Sequence, residues 1–499
     1  MTSTLTPSAS WWSRLRTSVA AAAHDARRPL VLGVGGTVLM ALASVGAGAI
    51  PRTDPLLEAM HLSWVRFGHG QQLATITVYL GVVLTLWAWT SLGLLVRSGV
   101  VGARVVSVVA GVWAVPLLVS APLYSRDVYS YLAQGALLRD GFDPYAVGPV
   151  ADPGPLLDNV SIQWTTTPAP YGPLFLLLAR AVTRVTGEDV LTGAWLLRLA
   201  FLPGLALLAW AVPRLAAELG GRPGLASWLV LANPLVLVHL VAGAHNDLLM
   251  LGLMAAGVAM AVQGHHAAGV LTITLGVAVK ATAGLALPFV VWIWFRHRRD
   301  RPDAAGRPRA APTQFLVALA GSVSLFVALF GGLTLLCGTG LGWIRALSGS
   351  NKIINWLSVP TALSQLIGPA TSWATGVRSD ELLTVLRPVC EVVLVAAVVV
   401  VWWRSRHNVL GAVRGLMLSL VLVVLLSPAA LPWYYTWALA FGAPLVRRVP
   451  TAAAAAAATT WLLLVFRPPG NPGLYNVGDL ALATAAGYLV WRRTTSGHG

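Results

Sequence analysis

Apolar runs fill the chain from Leu30 almost to its C-terminus, separated either by short arginine-bearing connections or by longer irregular ones. A helix that crosses a bilayer needs roughly 17–25 largely apolar residues. Fourteen segments approach that pattern, near residues 30–50, 73–96, 105–123, 190–211, 224–241, 248–263, 267–280, 282–295, 314–336, 383–403, 409–427, 435–446, 450–466 and 479–491. Several are short, and the polar break at Lys280 also permits one kinked or re-entrant element. Apolar pieces near residues 173–185 and 353–367 are too short or too polar to span, so they read as interfacial or re-entrant helices. The pattern predicts an all-α integral membrane protein, a bundle of about 14 transmembrane helices with further helices lying over it.

Composition agrees. Hydrophobic residues make up 57% of the chain and charged ones 10%, against about a quarter charged in soluble domains. The net charge of +16 does not indicate a nucleic-acid partner, because the basic residues are scattered between apolar runs. Cys337 and Cys390 give neither a disulfide framework nor a zinc pattern. The first apolar run exceeds the 7–15 residues or so of a signal peptide, so it reads as a first span behind a basic tail.

Charge then orients the bundle. If the tail bearing Arg14, Arg16, Arg27 and Arg28 is cytoplasmic, alternate connections carry Arg97 with Arg104, Arg214 with Arg222, the basic run 296–309, Arg404 with Arg406, Arg447 with Arg448, and Arg492 with Arg493. One side becomes strongly positive and the other nearly neutral, as the positive-inside rule requires. Both termini are expected in the cytoplasm of a multi-pass plasma-membrane protein. Its domains are a tail over residues 1–29, one membrane catalytic domain over 30–491 with large external connections at about 122–189 and 337–382, and a tail over 492–499.

Polar residues that could carry chemistry fall in external segments. Asp127, Tyr131 and Gln134 share one face of a helix. Asp127 could be a general base beside Arg126 as an anion partner, or the helix could be an amphipathic surface element. His245, Asn246 and Asp247 stand at the outer end of a span, where they could serve as a helix cap or as site residues. Lys280 lies in apolar sequence, where a cation usually faces a partner or cavity or snorkels to the interface. Arg345, Lys352 and Arg387 are further external cations, which makes a phosphate site plausible. Trp164, Tyr171, Trp343, Trp356 and the run Pro432-Trp-Tyr-Tyr-Thr-Trp437 could form an interfacial belt or stack on a sugar. No P-loop or GxGxxG follows a strand, no spacing suggests zinc, and no Asp-x-Asp pair offers a seat for a metal-held nucleotide-sugar. No metal or cofactor is expected.

The segment Ser125-Arg-Asp-Val-Tyr-Ser-Tyr-Leu-Ala-Gln-Gly, followed by Asp143-Pro-Tyr145, resembles the polyprenol-phosphomannose-dependent α-1,6-mannosyltransferases of actinobacteria. Tyr171-Gly-Pro173, Asn233-Pro234, His245-Asn-Asp247, Val279-Lys280 with Pro288, and Pro432-Trp-Tyr434 match that family in the same order. The resemblance implies a GT-C membrane glycosyltransferase with an external active site and no cofactor. Its donor would be polyprenyl-phosphate mannose and its acceptor a mannan or glycolipid of the lipomannan type, both met among membrane lipids. Asp127 would be the base of an inverting transfer, with Arg126, Tyr131, Gln134, His245, Asn246, Asp247, Lys280, Arg345, Lys352, Trp433 and Tyr434 binding substrate. GT-C carboxylates often stand in the first external loop, whereas Asp127 falls in the second here. A flippase for a lipid-linked sugar, or a GT-C transferase of another sugar, would share many of these features.

Overall fold

The structure, a computed structural model, describes residues 25–301 and 310–496. The N-terminal tail up to residue 24, residues 302–309 of the basic run and residues 497–499 lie outside the described residues. Among the described residues all regular structure is helical, apart from one isolated bridge between Phe466 and Pro472.

The fourteen apolar segments fall largely on helices, the one near 224–241 being divided between Pro223–Val230 and Val236–Ala242. Six helices are long and apolar enough to cross a membrane, and seven if the bent pair Val236–Ala242 and Asp247–Val262 counts as one span. Ala103–Leu118, His266–Val279 and Val449–Leu464 are shorter apolar helices, while Pro223–Val230 and Tyr435–Gly442 have only eight residues each. The expected fourteen crossings therefore overcount what length supports. An apolar run buried against other helices carries the same pattern as one facing lipid.

Burial separates these two environments. In Asp247–Val262 nearly every residue is buried. The spans Ala311–Cys337 and Ser379–His407 bury only 17% and 6% of their most apolar windows. Large apolar side chains exposed along whole helices belong against lipid tails.

Where spans cross, glycines let the backbones touch. Gly36 faces Gly81, Gly204 faces Gly252, and Gly257 faces Gly269, so that a Cβ at any of these positions would strike its partner's helix. Small residues serve this purpose in membranes, where apolar burial gives helices little reason to prefer one another over lipid. A second device ties Gly68–Arg97 to Pro223–Val230. Trp89 Nε1 donates to Trp228 O at 3.0 Å, Trp228 Nε1 returns the bond to Trp89 O at 2.8 Å, and the rings stack at 4.9 Å. Each buried indole thus finds an acceptor.

The arginine-bearing connections meet at one end. Arg222 donates to Arg97 O, Arg447 to Leu219 O, Arg97 to Thr494 O, and Arg296 to Arg406 O. Segments expected outside meet elsewhere: Ala49 bonds to Pro122 O, and the side chains of Arg126 and Tyr129 reach Ile50 O and Ala49 O. The amphipathic helix Pro173–Thr186 packs beside Asp127–Arg139.

Gly93 abuts the Trp228 indole so closely that a Cβ there would lie 2.9 Å from Nε1. Gly93→Ala is expected to lower stability by about 1–3 kcal/mol through overpacking. Thermal unfolding of the detergent-purified protein measures it.

Candidate active site

Two interrupted spans and one aromatic turn create the site. Pro234 cannot continue a regular helix, and Asn233 tends the interruption. Its amide donates to Leu229 O and Thr459 Oγ1, and its carbonyl accepts from Leu235 N–H. The chain continues as a π-helical stretch, Val236–Ala242, then bends by 115° into the helix beginning at Asp247. The second interruption follows Val279, where Lys280 is extended before a 3₁₀ turn, Ala281–Leu285. Non-helical backbone at membrane depth persists only where protein or a cavity satisfies it.

Lys280 and Asp247 join the two breaks. Lys280 Nζ donates to both carboxylate oxygens of Asp247, each at 2.9 Å. Trp437 Nε1 adds a bond to Oδ1 at 2.8 Å. The carboxylate is fully buried, the ammonium 13% exposed. Lys280 also lies over the rings of Tyr434 and Trp437, with centroids at 4.7 and 5.2 Å, a favourable place for a cation. The Asp247 carboxylate therefore makes an ion pair, and no side-chain cap closes the start of its helix.

Asp127 opens the helix Asp127–Arg139, with its backbone N–H on Ser125 Oγ. Its Oδ2 lies 3.7 Å from Nδ1 of buried His245, which is itself 3.4 Å from the Tyr131 hydroxyl. The His245 ring stacks on Trp433 at 4.0 Å. Burial raises the Asp127 carboxyl to about 6, opposed by the Lys280 charge and by hydrogen bonds from Ser125 and Trp164, while Asp247 raises it further. The side chain keeps 20% exposure, because two cavities of about 180 and 70 Å³ meet at it. The larger runs between Arg126, Trp164, Asn355 and the loop Pro469–Pro472. The smaller runs between Ser130, Gln134, Tyr171 and Tyr434. Ser130 Oγ, Gln134 Oε1, His245 Nε2 and both amide atoms of Asn246 are buried without a described protein partner. Such groups can bind hydroxyls.

The backbone here is strained. Tyr124 and Ala244 have φ of +64° and +52°, a region that non-glycine residues rarely occupy. One precedes the Asp127 segment by three residues, the other directly precedes His245. Fully folded surroundings hold them: Tyr124 N–H bonds to Pro468 O, and Arg198 clamps the bend. The buried guanidinium of Arg198 donates to Val241 O, Ala242 O and Leu118 O at 3.1, 2.9 and 2.7 Å.

Asp127, Tyr131, His245, Asp247, Lys280, Trp433 and Tyr434 converge, and Gln134 lines the smaller cavity. Asn246 is buried between His245 and Asp247. Arg126 lines the larger cavity, but its guanidinium is held by Ile50 O and Asn159 O. Lys352 sits on the Thr166 and Thr167 hydroxyls, beside the smaller cavity that Thr167 lines. Arg345 is exposed on the short helix Trp343–Ala346 and lines neither cavity, and Arg387 reaches Ile353 O. Sequence reasoning missed Arg198, although a lone cation in an apolar run was the very signal that singled out Lys280.

Fold and site together define a helical membrane protein with a carboxylate-centred, aromatic-lined polar site. Comparison with known proteins gives the family. Residues 30–296 match the family model of the alpha-(1->6)-mannopyranosyltransferase N-terminal domain, and residues 360–495 match the MptB C-terminal domain. The alpha-(1->6)-mannopyranosyltransferase A of Mycobacterium tuberculosis is 48% identical over 93% of this chain and 89% of its own. That of Corynebacterium glutamicum is 33% identical over 91% and 95%. The C. glutamicum alpha-(1->6)-mannopyranosyltransferase B is 28% identical over 82% and 71%. The chain belongs to the alpha-(1->6)-mannopyranosyltransferase family. No solved structure matches it.

Removing one member of a buried pair leaves an uncompensated charge, at a cost of about 3–5 kcal/mol. Lys280→Met is expected to lose that much stability. Asp247→Leu combined with Lys280→Met should recover part of it in thermal unfolding of purified protein.

Proposed function

We propose that this protein is a membrane mannosyltransferase that moves mannose from a polyprenyl-phosphate mannose donor to a mannan or glycolipid acceptor, forming an α-1,6 linkage with inversion. The observation that carries the reading is the Asp127 carboxylate at the junction of two cavities lined by aromatic rings and unpartnered polar atoms. Family membership, with relatives named alpha-(1->6)-mannopyranosyltransferases, supplies the reaction class.

In this mechanism an acceptor hydroxyl oxygen attacks the anomeric carbon of a β-linked mannosyl phosphate. Asp127 takes the hydroxyl proton as the new C–O bond forms. The bond to phosphate oxygen breaks, and polyprenyl phosphate leaves with its electron pair. Arg126 and Lys352 supply positive charge beside the cavities for the leaving phosphate, while the Lys280 charge is matched by Asp247 and acts on Asp127. Arg345 is a more distant external cation. Ser130 and Gln134, which line the smaller cavity, offer hydrogen bonds to sugar hydroxyls, His245 and Asn246 stand buried behind the cavity walls, and Trp433 and Tyr434 offer ring faces. A carboxyl poised near 6 by burial suits a base at neutral pH, being mostly ionised yet more basic than an exposed aspartate.

The clustering of arginine-bearing connections at one end supports an external site with both termini in the cytoplasm. One catalytic domain would then span residues 30–491.

The test is transfer from labelled polyprenyl-phosphate mannose to a mannoside acceptor by purified protein. The wild type should yield a new α-1,6 product, and Asp127→Asn should lose about 10²–10⁴-fold in rate. Full activity in Asp127→Asn would refute the assigned base. Movement of donor between leaflets without product would favour a flippase.

A further inference from the structure

A cavity separate from the site lies at the arginine-rich end of the bundle. It encloses about 620 Å³ between the helices Val409–Leu426, Tyr435–Gly442 and Val449–Leu464. Its walls are aliphatic, with Met417, Leu439 and Ala455 among them, and three guanidinium-bearing residues, Arg414, Arg447 and Arg448, border it.

Among the described residues none of the three makes an ion pair with a carboxylate. Arg447 Nη2 donates to Leu219 O at 3.0 Å. A carbonyl leaves the positive charge in place. Arg414 and Met417 stand on one face of their helix, three residues apart, so a cation and an apolar side chain face the same space. Basic pockets between membrane helices on the positive-inside face suit anionic lipid headgroups, and about 300–1,000 Å³ is an ordinary size for a ligand cavity.

We infer that this cavity binds an anionic phospholipid, its phosphodiester among Arg414, Arg447 and Arg448 and an acyl chain along Met417, Leu439 and Ala455. The occupant is a lipid, because the apolar wall would contribute nothing to a free anion. This site lies away from Asp127 and does not depend on the reaction proposed there.

Native mass spectrometry of the full chain in detergent, with equal amounts of phosphatidylglycerol and phosphatidylcholine, tests it. One phosphatidylglycerol should be retained under conditions that strip phosphatidylcholine. Arg414→Gln, which alters an exposed residue, should weaken retention by about fivefold. Ala455→Trp, which fills the apolar wall, should abolish it in protein that still elutes as a folded species. Equal retention of both lipids would overturn the proposal, as would undiminished retention in Arg414→Gln and Arg448→Gln. Displacement by inorganic phosphate alone would equally overturn it, since it would make the cavity an anion site and not a lipid site.

Discussion

The structure turns on a buried ion pair between two places where the chain abandons helical geometry. Asp247 begins a helix after a 115° bend, and Lys280 is extended where another helix stops. Neither charge could be left alone where both are this buried. Together, with the Trp437 indole on one carboxylate oxygen and the Tyr434 and Trp437 rings around the ammonium, they form a neutral plug. The pair fixes the distance between two spans and draws a third segment, 432–437, onto them. Replacement by apolar residues could yield a stable bundle, but that bundle would lack the field in which Asp127 titrates. The pair is therefore better read as a device for specificity than as a source of stability.

Two further constraints hold Asp127 and His245 in place. Tyr124 and Ala244 occupy left-handed conformations without being glycine, at a cost of order 1–3 kcal/mol each. One Arg198 guanidinium donates to the last two carbonyls of the π-helical stretch and to the last carbonyl of the helix Ala103–Leu118. The bend is thus fixed by three charged hydrogen bonds that no repacking of apolar side chains could replace. A site built this way is organised before substrate arrives, and preorganised charge is what stabilises a transition state most effectively.

Much of this was legible in the chain. Most apolar runs became helices, although the one near 224–241 is divided at Asn233, and the residues around Asp127, His245 and Lys280 were visible as polar interruptions in apolar sequence. Sequence could not show that Asp247 and Lys280 neutralise each other, because 33 residues separate them, nor that Trp437, 190 residues away, completes the cage. The number of crossings was also hidden, because Pro223–Val230 and Tyr435–Gly442 are apolar through burial in protein. Arg198 was legible in principle, since its cost in an apolar run is the same as that of Lys280.

The most direct test is the pH dependence of transfer. With Asp127 as the proposed base, which accepts a proton only when ionised, activity should rise with pH through about 6 and then level off. Lys280 lowers that value and Asp247 raises it. In membranes, Lys280→Met should therefore move the rising limb to higher pH and Asp247→Asn to lower pH. A limb that stays in place in both variants would contradict the view that the buried pair sets the base's ionisation.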